Sequence, residues 1–339
     1  MNTLQKSFIF WEILTGNLIF QKVKSKHNKS FTVFRYILGG RHMNRTYEFY
    51  LDGAWRTSST KETIGISSPY LRKEIGRVQA MSKAEIDEAI TSAKQAQKQW
   101  ADLTVRERGE YLYKWIDNLL DDKKDIAETI MKEVGKAYND SVKEVERTAD
   151  FIRYTIEEAY HMHGESIMGE NFVGGTRSKI ATVHRVPLGV VLAISPFNYP
   201  VNLSAAKIAP ALVSGNTVVF KPATQGALSG IKMIQALHKT GLPKGVINLV
   251  TGRGSVIGDH LVEHPDINMI SFTGGTKNGL HIASKTKMIP LVMELGGKDP
   301  AIVREDADLA YTAKQIVSGA FSYSGQRCTA IKRVLVNEA

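Results

Sequence analysis

"VVLAISPFNYPVNLSAAKIAPALVSGNTVVFKP", residues 190–222, decides the fold. "VVLAISP" (190–196) is an unbroken apolar run, the signature of a strand buried on both faces. "NLSAAKIAPALVSG" (202–215) keeps helical spacing and ends in a glycine, and "NTVVFKP" (216–222) is a second apolar strand. Strand, helix and strand in immediate succession predict a crossover between parallel strands. The pattern continues: helix in "SGIKMIQALHKTG", strand in "GVINLVTG", helix in "SVIGDHLVEH", strand in "INMISFTG", helix in "TKNGLHIASK", strand in "IPLVMELGG". The fold class is α/β, with a doubly wound parallel sheet over about residues 187–296.

Upstream, "YEFYLDGAWR" (47–56) predicts a hairpin around Asp52-Gly53, after which helices are expected. Ser82 with Glu85, and Thr104 with Glu107, are capping boxes that open the first two. A third helix spans about 124–134 and stops at Gly135, and a fourth spans about 140–163 with Val142, Val145, Ala149, Ile152 and Ile156 inward. Downstream, "DPAIVRED", "AYTAKQIVSGAFSY" and "KRVLVNE" begin a further strand–helix–strand unit. The expected division is 43–296 as a cofactor-binding domain and 297–339 as the start of a second α/β domain.

Residues 1–42 are expected to be an extension, with Met43 as the natural start. The apolar stretch "FIFWEILTGNLIF" (8–20) contains Glu12 and is too short to span a bilayer. This extension carries seven basic residues against one acid, so it holds most of the net charge of +10. The remainder is only mildly basic, which argues against nucleic acid as a partner. One cysteine in 339 residues excludes an internal disulfide and an all-cysteine metal site, and fits a reducing, cytoplasmic setting. No histidine pair has metal-ligand spacing; "HMH" (161–163) reads as helix-end surface.

Ligands of such sheets sit at the carboxyl ends of the strands. The loops there are "SPFNYP", "FKPAT", "TGRGSVIG", "FTGGTKNG" and "MELGGKDP". The two glycine turns each enter a helix, where backbone N–H groups attract phosphate. Lys221 ends the second strand and is placed for a ribose or phosphate oxygen. Cys328, in "SYSGQRC", is either a small buried hydrophobe or a nucleophile; Arg327 beside it would favour the thiolate, whose parent thiol has a pKa of about 8.5. Glu294 is either a salt-bridged strand-end residue or a cleft carboxylate, and Asn198 either a turn residue or a polar group of the first loop.

In this order, "SPFNYP", "FKPAT", "FTGGT", "MELGGKDP" and "GQRC" resemble the motifs of the aldehyde dehydrogenase superfamily over about residues 47–339. The resemblance implies Cys328 as nucleophile, Glu294 as the base for the hydrolytic water, and the Asn198 side chain with the Cys328 N–H as oxyanion donors. It implies a cofactor site of Ser195, Lys221, Thr224, Gly254, Asp259, Gly274, Thr276 and Leu295. Thr224 replaces a glutamate of many NAD-using members, which implies NADP; Gly275 stands where a serine is common. Arg147, Asn198, Tyr199, Arg327, Cys328 and Thr329 resemble the substrate set of members that oxidise glyceraldehyde 3-phosphate, a phosphorylated aldehyde, without adding phosphate. Arg147 could instead pair with Glu144 or Glu146. Another aldehyde such as succinate semialdehyde, or an inactive binding fragment, are the alternatives.

Residues of about 170–186 resemble half of an oligomerisation arm, and the resemblance implies homotetramers for full-length relatives and no membrane partner. Members continue well past the cysteine, so the 339-residue chain is expected to bind NADP weakly and turn over little.

Overall fold

The computed structural model describes residues 45–338, together with two strands, β1 (Lys22–Lys24) and β2 (Ser30–Thr32). Those strands pair antiparallel within a unit of their own, residues 1–43. The apolar segment 8–20 and the expected start at Met43 lie outside the described residues.

The chain from residue 44 is one compact unit. It opens with β3 (Thr46–Tyr47), β4 (Phe49–Leu51) and β5 (Ala54–Arg56). The hairpin β4–β5 turns at Asp52 (φ 50°) and Gly53 (φ 78°), both left-handed as a tight primed turn requires. Helices do not follow at once. β6 (Thr63–Ser68) and β7 (Lys73–Gln79) form an antiparallel pair, with β3 added parallel to β7. The alternation of Ile64 and Ile66, both buried, was the available signal for this sheet.

Four helices come next: α1 (Lys83–Asp102), α2 (Val105–Asp121), α3 (Lys123–Val134) and α4 (Tyr138–Ala159). Both capping boxes are formed. Ser82 Oγ accepts from Glu85 N (3.2 Å) while Glu85 accepts from Ser82 N (2.8 Å), and Thr104 with Glu107 repeats the exchange. Gly135 closes α3 at φ 71°. α4 stops four residues before His163, so the "HMH" segment lies beyond it. A hairpin of β8 (Glu165–Met168) and β9 (Ile180–Val183) then stands on the surface, with Phe172, Val173 and Ile180 exposed.

The alternating segment follows: β10 (Val190–Ile194), α5 (Asn202–Val213), β11 (Thr217–Lys221), α6 (Ala227–His238), β12 (Ile247–Leu249), α7 (Gly254–Val262), β13 (Met269–Thr273), α8 (Thr276–Lys285) and β14 (Leu291–Glu294). The sheet order is β14-β13-β10-β11-β12-β4-β5, with the first five strands parallel and the hairpin added antiparallel to β12. The doubly wound sheet is therefore as the sequence predicts.

Its strands are apolar on both faces because both faces are covered. Val191, Ala193, Val218 and Phe220 join a core with α2, α4, α5 and α6. Val190, Leu192 and Val219 join a second core with Ile86 and Ile90 of α1 and Leu261 of α7. Each of the valine, leucine, isoleucine and phenylalanine side chains contributes about 1.5–3 kcal/mol on burial. β15 (Pro300–Val303), α9 (Leu309–Phe321) and β16 (Arg333–Val336) form a final parallel strand–helix–strand unit. The chain order reverses between β10 and β13, which is where a crevice opens beyond the carboxyl ends of the strands.

Candidate active site

The crevice is a cleft of about 840 Å³. Its walls are the five loops singled out from the sequence. Ser195 and Asn198 follow β10, Lys221 ends β11 and Thr224 follows it, Gly254 begins α7 and Asp259 lies within it. Gly274 follows β13, Glu294 ends β14 and Leu295 follows it, and Cys328 reaches the same cleft from the loop before β16. Thr276 is the first residue of α8. Thr329 is exposed and lines neither this cleft nor its neighbour described below.

Helix starts along this edge of the sheet differ in one respect. The start of α5 is capped by a buried carboxylate from α4: Glu144 Oε1 accepts from Val201 N (3.0 Å) and Asn202 N (3.2 Å). The start of α6 is capped by Glu133 of α3, fully buried, which accepts from Gly226, Leu228 and Ser229 N and from Ser229 Oγ at 2.6–3.0 Å. Burial pushes the Glu133 carboxyl up, against the pull of those four donors. The starts of α7 and α8 carry no side-chain cap, and both open on the cleft. A Cβ added at Gly254 or Gly275 would meet nothing within 4 Å. Free N–H groups, positive helix ends and space for close approach suit a phosphate.

Lys221 is 6% exposed, and among the described residues its Nζ reaches only the Pro222 carbonyl, at 3.3 Å. Burial pulls its pKa down to about 8. Such a group gains when ligand oxygens arrive. Thr224 Oγ1 lies 3.4 Å from the Gly252 carbonyl, which ties the β11 loop to the glycine turn before α7. Asp259 is exposed and bound to His281 (2.7 Å), which with nearby Lys285 keeps its carboxyl below the usual range.

The residues present therefore fit a dinucleotide: two open helix starts for its phosphates and a buried, under-bonded ammonium for its ribose.

At the thiol end, Cys328 is exposed, and its carbonyl accepts from Lys332 Nζ (2.6 Å). Asn198 Nδ2 donates to the Gln326 carbonyl at 2.8 Å, and its Oδ1 accepts from Tyr199 N at 3.1 Å. One amide proton of Asn198 is thus used on the thiol loop itself. Arg327 Nη2 donates to the Gly319 carbonyl at 2.5 Å.

A neighbouring cavity of about 260 Å³ lies against the other side of these residues. Arg147, Tyr199 and Arg327 line it together with Lys136 and Lys143. Arg147 does not take the helix partners considered from sequence: Glu144 pairs with Lys136, and Glu146 with Lys123 at 2.7 Å.

Two lysines escaped the sequence reading. Lys207, on α5, is buried and donates to Thr273 Oγ1 (2.6 Å) at the end of β13. Burial pulls its pKa down to about 8, against the opposing charge of Glu294. Its signal was a lysine on the apolar face of "NLSAAKIAPALV". Lys136 follows the Gly135 stop, and its Nζ stands 3.7 Å from the Tyr199 ring centroid.

The aldehyde dehydrogenase family model matches residues 55–339. The NADP-dependent glyceraldehyde-3-phosphate dehydrogenase of Streptococcus equinus is 52% identical over 297 residues, 88% of this chain and 62% of that protein. The protein of the same name from Arabidopsis thaliana is 48% identical over 309 residues, 91% of this chain and 61% of its own length. A crystal structure of NADP-dependent glyceraldehyde-3-phosphate dehydrogenase from Bacillus halodurans, complexed with NADP, superposes with a TM-score of 0.85 at 60% identity. It covers 87% of this chain and 62% of that one. The chain thus spans about three-fifths of the length of the curated relatives it matches.

Proposed function

The chain belongs to the aldehyde dehydrogenase family, and from that premise we propose that it serves the NADP-dependent oxidation of glyceraldehyde 3-phosphate to 3-phosphoglycerate, without phosphorylation. One observation carries the reading: the adjacent residues Arg327 and Cys328 line different cavities, Cys328 the cofactor cleft and Arg327 a cavity shared with Arg147, Lys136 and Lys143. A substrate with an aldehyde at one end and an anionic group at the other can span such a pair.

NADP, when bound, supplies the hydride acceptor. Lys221 would hold its ribose, and the starts of α7 and α8 its phosphates. Thr224 leaves the β11 loop without a carboxylate that would repel a 2′-phosphate. The Cys328 thiolate adds to the aldehyde carbon, and the resulting alkoxide is stabilised by the free Asn198 amide proton and the Cys328 N–H. Collapse of the alkoxide would expel hydride from that carbon to the bound acceptor, leaving a thioester on Cys328 with no proton released at this step. Glu294 takes a proton from water as its oxygen attacks the thioester; the acid departs and the thiol is restored. Exposed apolar residues on the β8–β9 hairpin support assembly with further copies of the chain.

The test is mass spectrometry of the chain with glyceraldehyde 3-phosphate, with and without NADP. Appearance of a Cys328 thioester and of NADPH, both lost in Cys328→Ser, is the expected result. An equal response to succinate semialdehyde would overturn the phosphorylated substrate, and no Cys328 adduct at all would overturn the reaction.

A further inference from the structure

Among the described residues, two buried side-chain polar atoms lack a hydrogen-bond partner: the Tyr323 hydroxyl and Arg327 Nε. Buried polar groups are paired in the great majority of cases, so an orphan calls for an explanation. Both residues line the smaller cavity, whose charged groups are Lys136, Lys143, Arg147 and Arg327 against Asp140 and Glu144. Both atoms can donate, and Nε–H can do nothing else. Burial, the Glu144 charge and Tyr199 push the Tyr323 phenol up, which keeps its proton in place.

The backbone shows how Tyr323 is held. Tyr323, Ser324 and Gly325 have φ of 53°, 54° and 71°. Each non-glycine residue in that region costs about 1 kcal/mol or more. The bend sets the Tyr323 ring against Tyr199, centroids 6.1 Å apart and nearly perpendicular. Lys136 Nζ faces both rings, at 3.7 Å from the Tyr199 centroid and 4.7 Å from that of Tyr323. Its charge is attracted to the electron-rich face of each ring, which holds both rings in place. Lys136 is held in turn by Glu144, the carboxylate that caps α5.

We propose that the Tyr323 hydroxyl is a further ligand of the substrate's anionic group, alongside Arg147 and Arg327, and that Lys136 is the residue that positions it. The proposal rests on the function proposed above and deepens it. Tyr323, Arg327 and Arg147 bring donors from three side chains, which suits the three free oxygens of a phosphate monoester better than the two of a carboxylate. Because the Tyr323 hydroxyl has no partner in the free protein, its loss removes no existing hydrogen bond.

The experiment compares the chain with Tyr323→Phe, Lys136→Met, Lys136→Arg and Arg147→Ala. Two probes are used: inorganic phosphate, read by thermal shift, and protection of Cys328 from iodoacetamide by glyceraldehyde 3-phosphate or by glyceraldehyde. Both aldehydes can add to the thiol, so their ratio isolates the phosphate. Tyr323→Phe is expected to melt at the unliganded wild-type temperature, to bind phosphate about 10-fold more weakly, and to lose protection only by the phosphorylated aldehyde. Lys136→Met should show the same weaker phosphate binding and the same selective loss of protection, at a lower melting temperature because it leaves the Glu144 carboxylate buried without its ion pair, with rescue by Lys136→Arg. Phosphate binding unchanged in Tyr323→Phe but weakened in Arg147→Ala would overturn this inference and leave the phosphate pocket standing. Equal loss of protection by both aldehydes would mean a purely structural role and also overturn it. Wild-type chain indifferent to phosphate would overturn both readings.

Discussion

Asn198 Nδ2 donates a 2.8 Å hydrogen bond to the carbonyl of Gln326, and so joins the loop after the central strand to the loop that carries the thiol. The two residues are 128 positions apart in sequence. The bond fixes the Cys328 loop against the switch point of the sheet. Asn198→Ala should therefore act twice, by loosening the thiol loop and by removing an oxyanion donor. The expected loss in kcat is about 100-fold or more, the usual size for one such donor. Asn198→Asp would present a carboxylate to the Gln326 carbonyl and should be no better. Single-turnover NADPH formation measures this, and a change confined to KM would contradict it.

Arg147→Ala and Arg327→Ala test the anionic end of the site. Each should raise KM for glyceraldehyde 3-phosphate about 10-fold or more, as expected for loss of a charge-assisted contact. Each should leave unphosphorylated glyceraldehyde nearly untouched. Steady-state kinetics with the two aldehydes side by side would show it, and parallel losses on both would not fit a phosphate clamp.

Lys221→Met should separate stability from binding. At neutral pH the wild-type protein buries an ammonium that its fold disfavours, with a pKa of about 8 against 10.5 unfolded. Removing it should stabilise the unliganded protein by roughly 1–3 kcal/mol while weakening NADP binding. The sign of the pH effect follows. Below about pH 8 both states hold the proton and the penalty is constant. Between about 8 and 10.5 the folded state has shed a proton that the unfolded state keeps, so wild-type stability rises relative to the variant. Urea melts of both proteins at pH 7 and pH 10 would show the gap narrowing; a gap that widens would refute the assignment.

Glu133→Ala should be among the most damaging single changes away from the cleft. It removes a carboxylate that serves four donors at the start of α6 and leaves them buried and unpaired. The expected cost is about 3 kcal/mol or more. Denaturant unfolding would read it, and Glu133→Gln should recover only part.

Much of this was legible in the sequence, for identifiable reasons. The parallel sheet announces itself because a strand covered on both faces must be apolar throughout, as Val190–Ile194 is. The capping boxes at Ser82 and Thr104 are local chemistry that spacing alone reveals. The sheet of β6 and β7 was missed because its apolar alternation is short, rests on two strands that each carry a glycine, and is broken by a register shift between Ile66 and Ser67. The loops around the cleft could be found from the ends of strands, and so could Lys221 and Glu294; Cys328, which precedes β16, stands out as the one cysteine of the sequence. Lys136, Lys207 and Tyr323 could not be assigned that way. Each owes its role to side chains distant in sequence: Lys207 meets Thr273, and Lys136 sits between tyrosines 199 and 323. Only the packed structure brings those partners together.

The carboxylates at the starts of α5 and α6 have an effect that reaches beyond the helices they cap. An anion drifting toward this edge of the sheet finds four helix starts, of which two are already answered from within the protein. Glu133 and Glu144 thereby close two of the four positions, and the phosphates of a dinucleotide are left the starts of α7 and α8.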